Sequence, residues 1–155
     1  MDGGSSKVNV SMLHNPSHLE AVNPVAMGKT RAKQDENKNT EKIINIQLHG
    51  DAAFAAQGVI YESFALSKTP SFNIDGTIHI ICNNQLGFTT GPVEGRSTEY
   101  SSDIVKSYDI PVVHVNADYP EDVLRVAALA VKYRQKFKKD FMIDLIGIKC
   151  LDLCL

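Results

Sequence analysis

No run of apolar residues in this chain approaches the eighteen or so that a membrane-spanning helix requires, so no segment of it is expected to cross a bilayer. Positive charge is not in excess either. Sixteen basic residues are offset by eighteen acidic ones, for a net charge of -2 and a pI near 6.2, which leaves no electrostatic footprint for nucleic acid. Cysteine is scarce: Cys82, Cys150 and Cys154 form no CxxC pair and have no histidine at zinc-site spacing. A disulfide framework and a structural metal cluster are therefore not expected, and a reducing compartment fits. The glycine signatures of phosphate loops are missing as well, with no GxGxxG after a strand pattern and no GxxxxGK[ST], which counts against a generic doubly wound nucleotide-binding domain. The opening MDGGSSKVNV has neither an apolar signal core nor an Arg-rich amphipathic pattern, so no targeting segment is expected on it.

What is present is the composition of an ordinary globular chain, 43% hydrophobic and 22% charged over 155 residues, enough for one domain with one core. Residues 1–7 read as a flexible Gly/Ser leader, 8–148 as the domain and 149–155 as an atypical tail. Val8 to Leu13 alternates like a short strand, and Gly28 to Thr40 is a polar mixture without apolar period, expected to be an exposed loop. The patterns then become regular. Strands are expected over 42–48, 77–82, 111–115 and 142–148, with helices over 53–66 and 120–136, the latter capped by Asp118. Alternating strand and helix predicts an α/β fold, a parallel sheet with helices on both faces, whose ligands gather at the carboxyl ends of the strands.

Two turns fall at such ends. His49-Gly50-Asp51-Ala52-Ala53 closes the first strand of the regular region, and Asn83-Asn84-Gln85-Leu86-Gly87 closes the next, with Asn84 33 positions after Asp51. A carboxylate and a side-chain carbonyl at one sheet edge are hard oxygen donors. Magnesium takes one or two protein carboxylates and fills its octahedron with water and phosphate oxygens, so the pair leaves room for a diphosphate. A helix starting near Ala52 would add free N–H groups aimed at the same anion.

The Gly-Asp-Ala turn followed by Asn-Asn resembles the thiamine-diphosphate motif. The strings NPSHLEAVNPV (15–25), LHGDAAFAAQGVIYESF (48–64), NNQLGFTT (83–90) and RSTEYSSDI (96–104) are similar to the decarboxylating first component of 2-oxoglutarate dehydrogenase, from about Val8 to Leu145. Within that family the 91–104 loop and the 120–137 helix look most like the 2-oxoadipate branch. The resemblance implies an incomplete thiamine-diphosphate-binding fold in which Asp51, Asn84 and the carbonyl of Leu86 ligate magnesium and Ala52 and Ala53 lie along the diphosphate. Ser17, His18 and Leu19 would line the cofactor pocket, with Ser17 near the substrate carboxylate and His18 the candidate acid–base group. The implied reaction is attack of the thiazolium carbanion on a 2-oxo acid, loss of carbon dioxide and acyl transfer to a lipoyl arm. Implied partners are a second subunit in a homodimer, a lipoyl-bearing acyltransferase and dihydrolipoamide dehydrogenase, in the mitochondrial matrix. The family's Gly-His-Asn-Glu signature, upstream substrate-binding histidines and pyrimidine-binding domain are absent from this sequence. The chain is accordingly expected to be a truncated or misspliced fragment, inactive alone.

Blander readings stand beside these. Asp51 on a strand-to-helix turn could be a helix N-cap, and Asn83 could be a turn former with only Asn84 ligating. His18 and His49 are as readily backbone-bonding residues as acid–base groups, whereas His79 and His114, inside apolar strands, read as satisfied core or sheet-edge residues. Glu62 reads as structural, and Lys132 to Lys139 as a solvated helix end complementing the macrodipole. A reading from another class is a non-catalytic module that docks onto a full-length subunit.

Overall fold

The computed structural model describes residues 7–147; residues 1–6 and 148–155, which include the expected tail and the end of the strand expected over 142–148, lie outside the described residues. The chain forms four strands, β1 (Asn45–Gly50), β2 (Thr77–Asn83), β3 (Val112–Asn116) and β4 (Phe141–Ile146). They pair in parallel in the order β1-β2-β4-β3. Period-2 alternation sends their side chains to two different layers. Ile78, Phe141, Ile143 and Val115 face helix α5 (Pro120–Phe137) and its Ala130, whereas Ile81 and Met142 face Phe54, Ile60 and Phe64 of α2 (Asp51–Ala56) and α3 (Gly58–Ser67). Val105 of a 3-10 helix (Ser101–Tyr108) joins the second layer, so helices cover both faces as expected. On β1 the α5 layer stops short, leaving Ile46 and Leu48 59% and 69% exposed.

Several boundaries move, each for a physical reason. The expected helix over 53–66 is two helices, because Gln57 is extended (φ -86, ψ 121) and its carbonyl accepts from Ile60 N–H at the start of α3. Six residues cannot hold a helix on propensity alone. What holds α2 is the fully buried Phe54, stacked edge-on against His49 and Phe64, and burial of such a ring contributes roughly 1.5–3 kcal/mol. Asp118 does not cap α5. Tyr119 occupies the N-cap position, Pro120 opens the first turn, and the Asp118 N–H donates instead to Asn116 Oδ1.

Two expectations fail outright. Val8 to Leu13 is no strand: it pairs with nothing among the described residues, and Val8, Val10 and Met12 are at least 80% exposed. Most of the polar stretch 28–40 is not a loop, since residues 28–37 form the second half of helix α1 (Val22–Asn37). Its buried face is Asn23, Met27, Thr30 and Gln34, helically spaced but mostly polar, and Gln34 Nε2 donates to the carbonyl of Ile74 at 2.9 Å. Tertiary hydrogen bonds replace the apolar stripe that a hydrophobic period would have revealed.

The basic stretch 132–139 also conceals a core residue. Arg134 is wholly buried, and its guanidinium donates to the carbonyls of Gly76, Thr40, Ile43 and Ile74 at 3.0–3.2 Å, pinning two loops to the end of α5. Burial lowers its pKa, with Asp75, Asp140 and Glu41 opposing.

Candidate functional site

The pairing of Gly50 with Cys82 fixes the site. β1 and β2 end level with each other, so Asp51 leaves one strand as Asn83-Asn84 leaves its neighbour, about 4.8 Å away across the ladder. Asp51 is the first residue of α2, with Gly50 at the N-cap position, so its carboxylate is not the helix cap. It is nevertheless 3% exposed. Burial raises its pKa, while the N–H groups of Asp51 and Ala52 and the charge of Arg96 pull it back.

The facing loop is built from consecutive side-chain turns. Asn83 Oδ1 accepts from Gln85 N–H and Asn84 Oδ1 from Leu86 N–H, with Gln85 at φ 60, an arrangement Asn favours. Gly87 and Thr90 then exchange two backbone hydrogen bonds, leaving Phe88 at an exposed tip. Gly87 is required by space: a Cβ there would lie 2.9 Å from Ala52 Cβ. The loop therefore sits directly on the first turn of α2, with Asp51 beside it. The Leu86 carbonyl accepts no hydrogen bond among the described residues.

Asn83 has a different task from Asn84. It is buried, and its Nδ2 donates to Asp144 Oδ1 at 3.0 Å. Asp144, fully buried on β4, also accepts from Ser102 Oγ (3.1 Å) and His114 Nδ1 (3.0 Å), so one carboxylate gathers the end of β2, the 3-10 helix and β3. Nothing in the sequence pattern pointed to this. A second buried chain crosses β1 and β2: Glu20 Oε2 meets His49 Nδ1 at 2.7 Å, and His49 Nε2 meets His79 Nδ1 at 3.1 Å. His79 Nε2 then lies 4.0 Å from Asp140 Oδ1. Burial holds the His79 pKa well below its usual value, with His49 adding to the effect, so this ring is neutral at physiological pH. Both histidines face other side chains rather than solvent.

Ser17, His18 and Leu19 are exposed in the turn before α1 and make no side-chain hydrogen bond with Asp51 or Asn84 among the described residues. The end of their segment is tied to the site, however. Glu20, at φ 65, is buried and bonded to His49 two residues before Asp51. Glu62 is exposed on α3. Arg96, not singled out by the sequence, stands 3.8 Å from Asp51 Oδ2 through Nη1.

Among the described residues no three His, Cys, Asp or Glu side chains cluster as a metal site. A cation at Asp51 would thus draw on one carboxylate, neutral oxygens of the 83–87 loop, and oxygens brought by water or ligand. That is a magnesium–phosphate donor set. The buried carboxylate, the free Leu86 carbonyl and the close approach of Gly87 to Ala52 fit such a group.

A parallel α/β domain with an acidic turn and an amide-bearing turn converging at its carboxyl edge is of the class that binds anionic ligands there. Comparison with known proteins makes the class specific: the chain belongs to the dehydrogenase E1 component family, whose model matches residues 2–150. It is 55% identical, over 94% of its length, to the probable 2-oxoadipate dehydrogenase complex component E1 homolog of Dictyostelium discoideum. It is 51% identical over 90% to the mitochondrial 2-oxoglutarate dehydrogenase of the same organism, and 48% over 93% to the 2-oxoadipate dehydrogenase complex component E1 of Mus musculus. The chain spans only 16%, 14% and 17% of those proteins respectively.

Proposed function

We propose that this chain is the diphosphate-binding part of a thiamine-diphosphate-dependent E1 component that decarboxylates a 2-oxo dicarboxylic acid, 2-oxoglutarate or 2-oxoadipate. The observation that carries the reading is the seating of the Asn83–Thr90 loop on the first turn of α2, which sets Asp51 and the Asn84–Leu86 oxygens at one sheet edge. In this reading Asp51, Asn84 and the Leu86 carbonyl hold magnesium, and Ala52 and Ala53 lie along the diphosphate. Thiamine diphosphate, when bound, supplies the carbon nucleophile and electron sink for loss of carbon dioxide. The chain's own residues bind and orient: Asp144 fixes Asn83 and so the Asn84 turn, and the Glu20–His49 bond holds the Ser17–Leu19 segment beside β1. Ser17 and His18, exposed here, would meet substrate as the rest of the enzyme closes over them.

By the same reading the full protein is a mitochondrial homodimer passing its acyl group to a lipoyl-bearing acyltransferase, with dihydrolipoamide dehydrogenase as the third component. The isolated chain, without the rest of the site, is inactive. The uncovered Ile46 and Leu48 support a second role, docking onto a full-length subunit, which co-purification of the two chains would test. The primary test is calorimetric titration with thiamine diphosphate, with and without magnesium. Magnesium-dependent binding that disappears in Asp51→Ala is expected; magnesium-independent binding, or binding unchanged by the substitution, would remove the reading.

A further inference from the structure

Arg96 begins the loop between the short helix α4 (Pro92–Gly95) and the 3-10 helix, and its guanidinium is held in place. Nε donates to the carbonyls of Thr98 (3.2 Å) and Glu99 (3.3 Å), and Nη2 donates to Glu99 (2.9 Å). The chain thus curls around its own arginine, whose side chain is 12% exposed. The Nη1 group extends to Asp51 Oδ2 at 3.8 Å, too far for a hydrogen bond but close enough to balance charge. Arginine cannot relieve that balance by losing its proton.

We propose that Arg96 is a fixed cationic wall of the diphosphate site and that it obliges a divalent cation and a diphosphate to bind together rather than separately. The inference rests on the diphosphate reading of Asp51 given above. Its basis is the charge sum around two poorly solvated side chains, 12% exposed at Arg96 and 4% at Asp51. With the site empty, Arg96 and Asp51 cancel each other. A divalent ion arriving alone sets two cations against one buried carboxylate, and a diphosphate arriving alone meets that carboxylate with Arg96 already engaged. Cation, guanidinium, carboxylate and diphosphate together come close to neutral, and each added charge then faces an opposite one. A guanidinium held through Nε and Nη2 still has Nη1 donors to offer a phosphate oxygen, the geometry in which arginine binds phosphate well.

The test is a thermodynamic cycle on the 155-residue chain: calorimetric titration with magnesium alone, with inorganic pyrophosphate alone, and with each in the presence of the other. The wild-type chain, Arg96→Gln and Asp51→Asn are compared, with melting by circular dichroism to verify that each is folded. In the wild type each ligand is expected to raise the affinity of the other about tenfold or more, within the usual range for coupled sites. Arg96→Gln should bind magnesium alone more tightly, and the mutual enhancement should shrink to roughly a third or less. Asp51→Asn should bind pyrophosphate without magnesium more tightly than the wild type, because Arg96 is released to the anion; this arm decides the matter if Arg96→Gln does not fold. Undiminished enhancement in Arg96→Gln, or no gain for pyrophosphate in Asp51→Asn, would overturn the role of Arg96 and leave the diphosphate reading standing. A folded wild-type chain that binds neither ligand in the presence of the other would overturn the diphosphate reading, and this inference with it.

Discussion

Replacing Gly87 by alanine should damage the site more than the fold. The added methyl would stand 2.9 Å from Ala52 Cβ, whereas two carbon atoms rest comfortably about 3.5–4.0 Å apart, so the loop and the first turn of α2 must separate by roughly 0.6–1.1 Å. Overpacking of that order costs about 1–3 kcal/mol. The same shift separates Asp51 from the Asn84–Leu86 oxygens, and magnesium demands near-ideal octahedral geometry, with ligand distances good to about 0.2 Å. We therefore expect a fall in melting temperature of several degrees and a loss of magnesium-dependent diphosphate affinity of about tenfold or more. The second substitution Ala52→Gly removes the opposing methyl at a helix-propensity cost of about 1 kcal/mol or less, and should restore binding to the Gly87→Ala protein. The coupling energy in the double-mutant cycle should exceed about 1 kcal/mol. Gly91→Ala is the control, since its Cβ would meet only the Glu94 carboxylate at an ordinary 3.5 Å. Gly87→Ala binding as the wild type does, or Ala52→Gly failing to rescue it, would refute the idea that this contact sets the cradle.

Three further outcomes follow from buried polar groups. Arg134→Met should cost about 3–5 kcal/mol, read by urea unfolding, because the carbonyls of Gly76, Thr40, Ile43 and Ile74 lose their shared donor; a loss under 1 kcal/mol would mean that water replaces it. Asp144→Asn sets an amide donor against the Asn83, Ser102 and His114 donors and should cost about 1–3 kcal/mol while also weakening diphosphate binding, a pairing that melting and calorimetry check together. His79 gives a pH dependence: its pKa in the unfolded chain is near 6.5 and burial holds it well below that in the folded protein. The unfolded state therefore binds the extra proton, and stability falls as pH drops below about 6.5, by up to about 1.4 kcal/mol per pH unit. Asp140, whose pKa burial raises, acts in the opposite sense, so the measurement is the difference between wild type and His79→Gln. Parallel stability curves between pH 6.5 and 5 would rule the His79 contribution out.

Much of the fold was legible where apolar runs stand between turn signals: the strand expected over 77–82 lies inside β2, and the one expected over 142–148 overlaps β4, which ends at Ile146, with Ile148 outside the described residues. Helix α1 was not legible, since its inner face is mostly polar and is held by partners distant in sequence: Gln34 donates to the Ile74 carbonyl, and the Asn23 carbonyl accepts from Gln47 Nε2. The break at Gln57 was equally hidden, because it depends on where Phe54 and Phe64 each seat in the core. At the site, the Asp51 and Asn84 turns could be read from their spacing, which the β1–β2 register converts into proximity. Glu20, Arg96 and Asp144 could not, because each acquires its partner only through tertiary register. The neutral His79 is likewise a product of burial rather than of any local motif.

The sheet face toward α2 and α3 carries Asn45, Gln47 and His49 on β1, and Thr77, His79 and Asn83 on β2, all buried. Such a face specifies strand alignment. A slip of one residue would turn these groups toward the α5 side and deliver Ile46, Ile78 and Ile80 into a layer built for hydrogen bonds. Purely aliphatic strands would tolerate that error cheaply, whereas here every misaligned pairing strands several polar groups without partners. The residues that lessen the oiliness of this core thereby give β1 and β2 one permitted alignment, and with it one permitted level for the two turns at their ends.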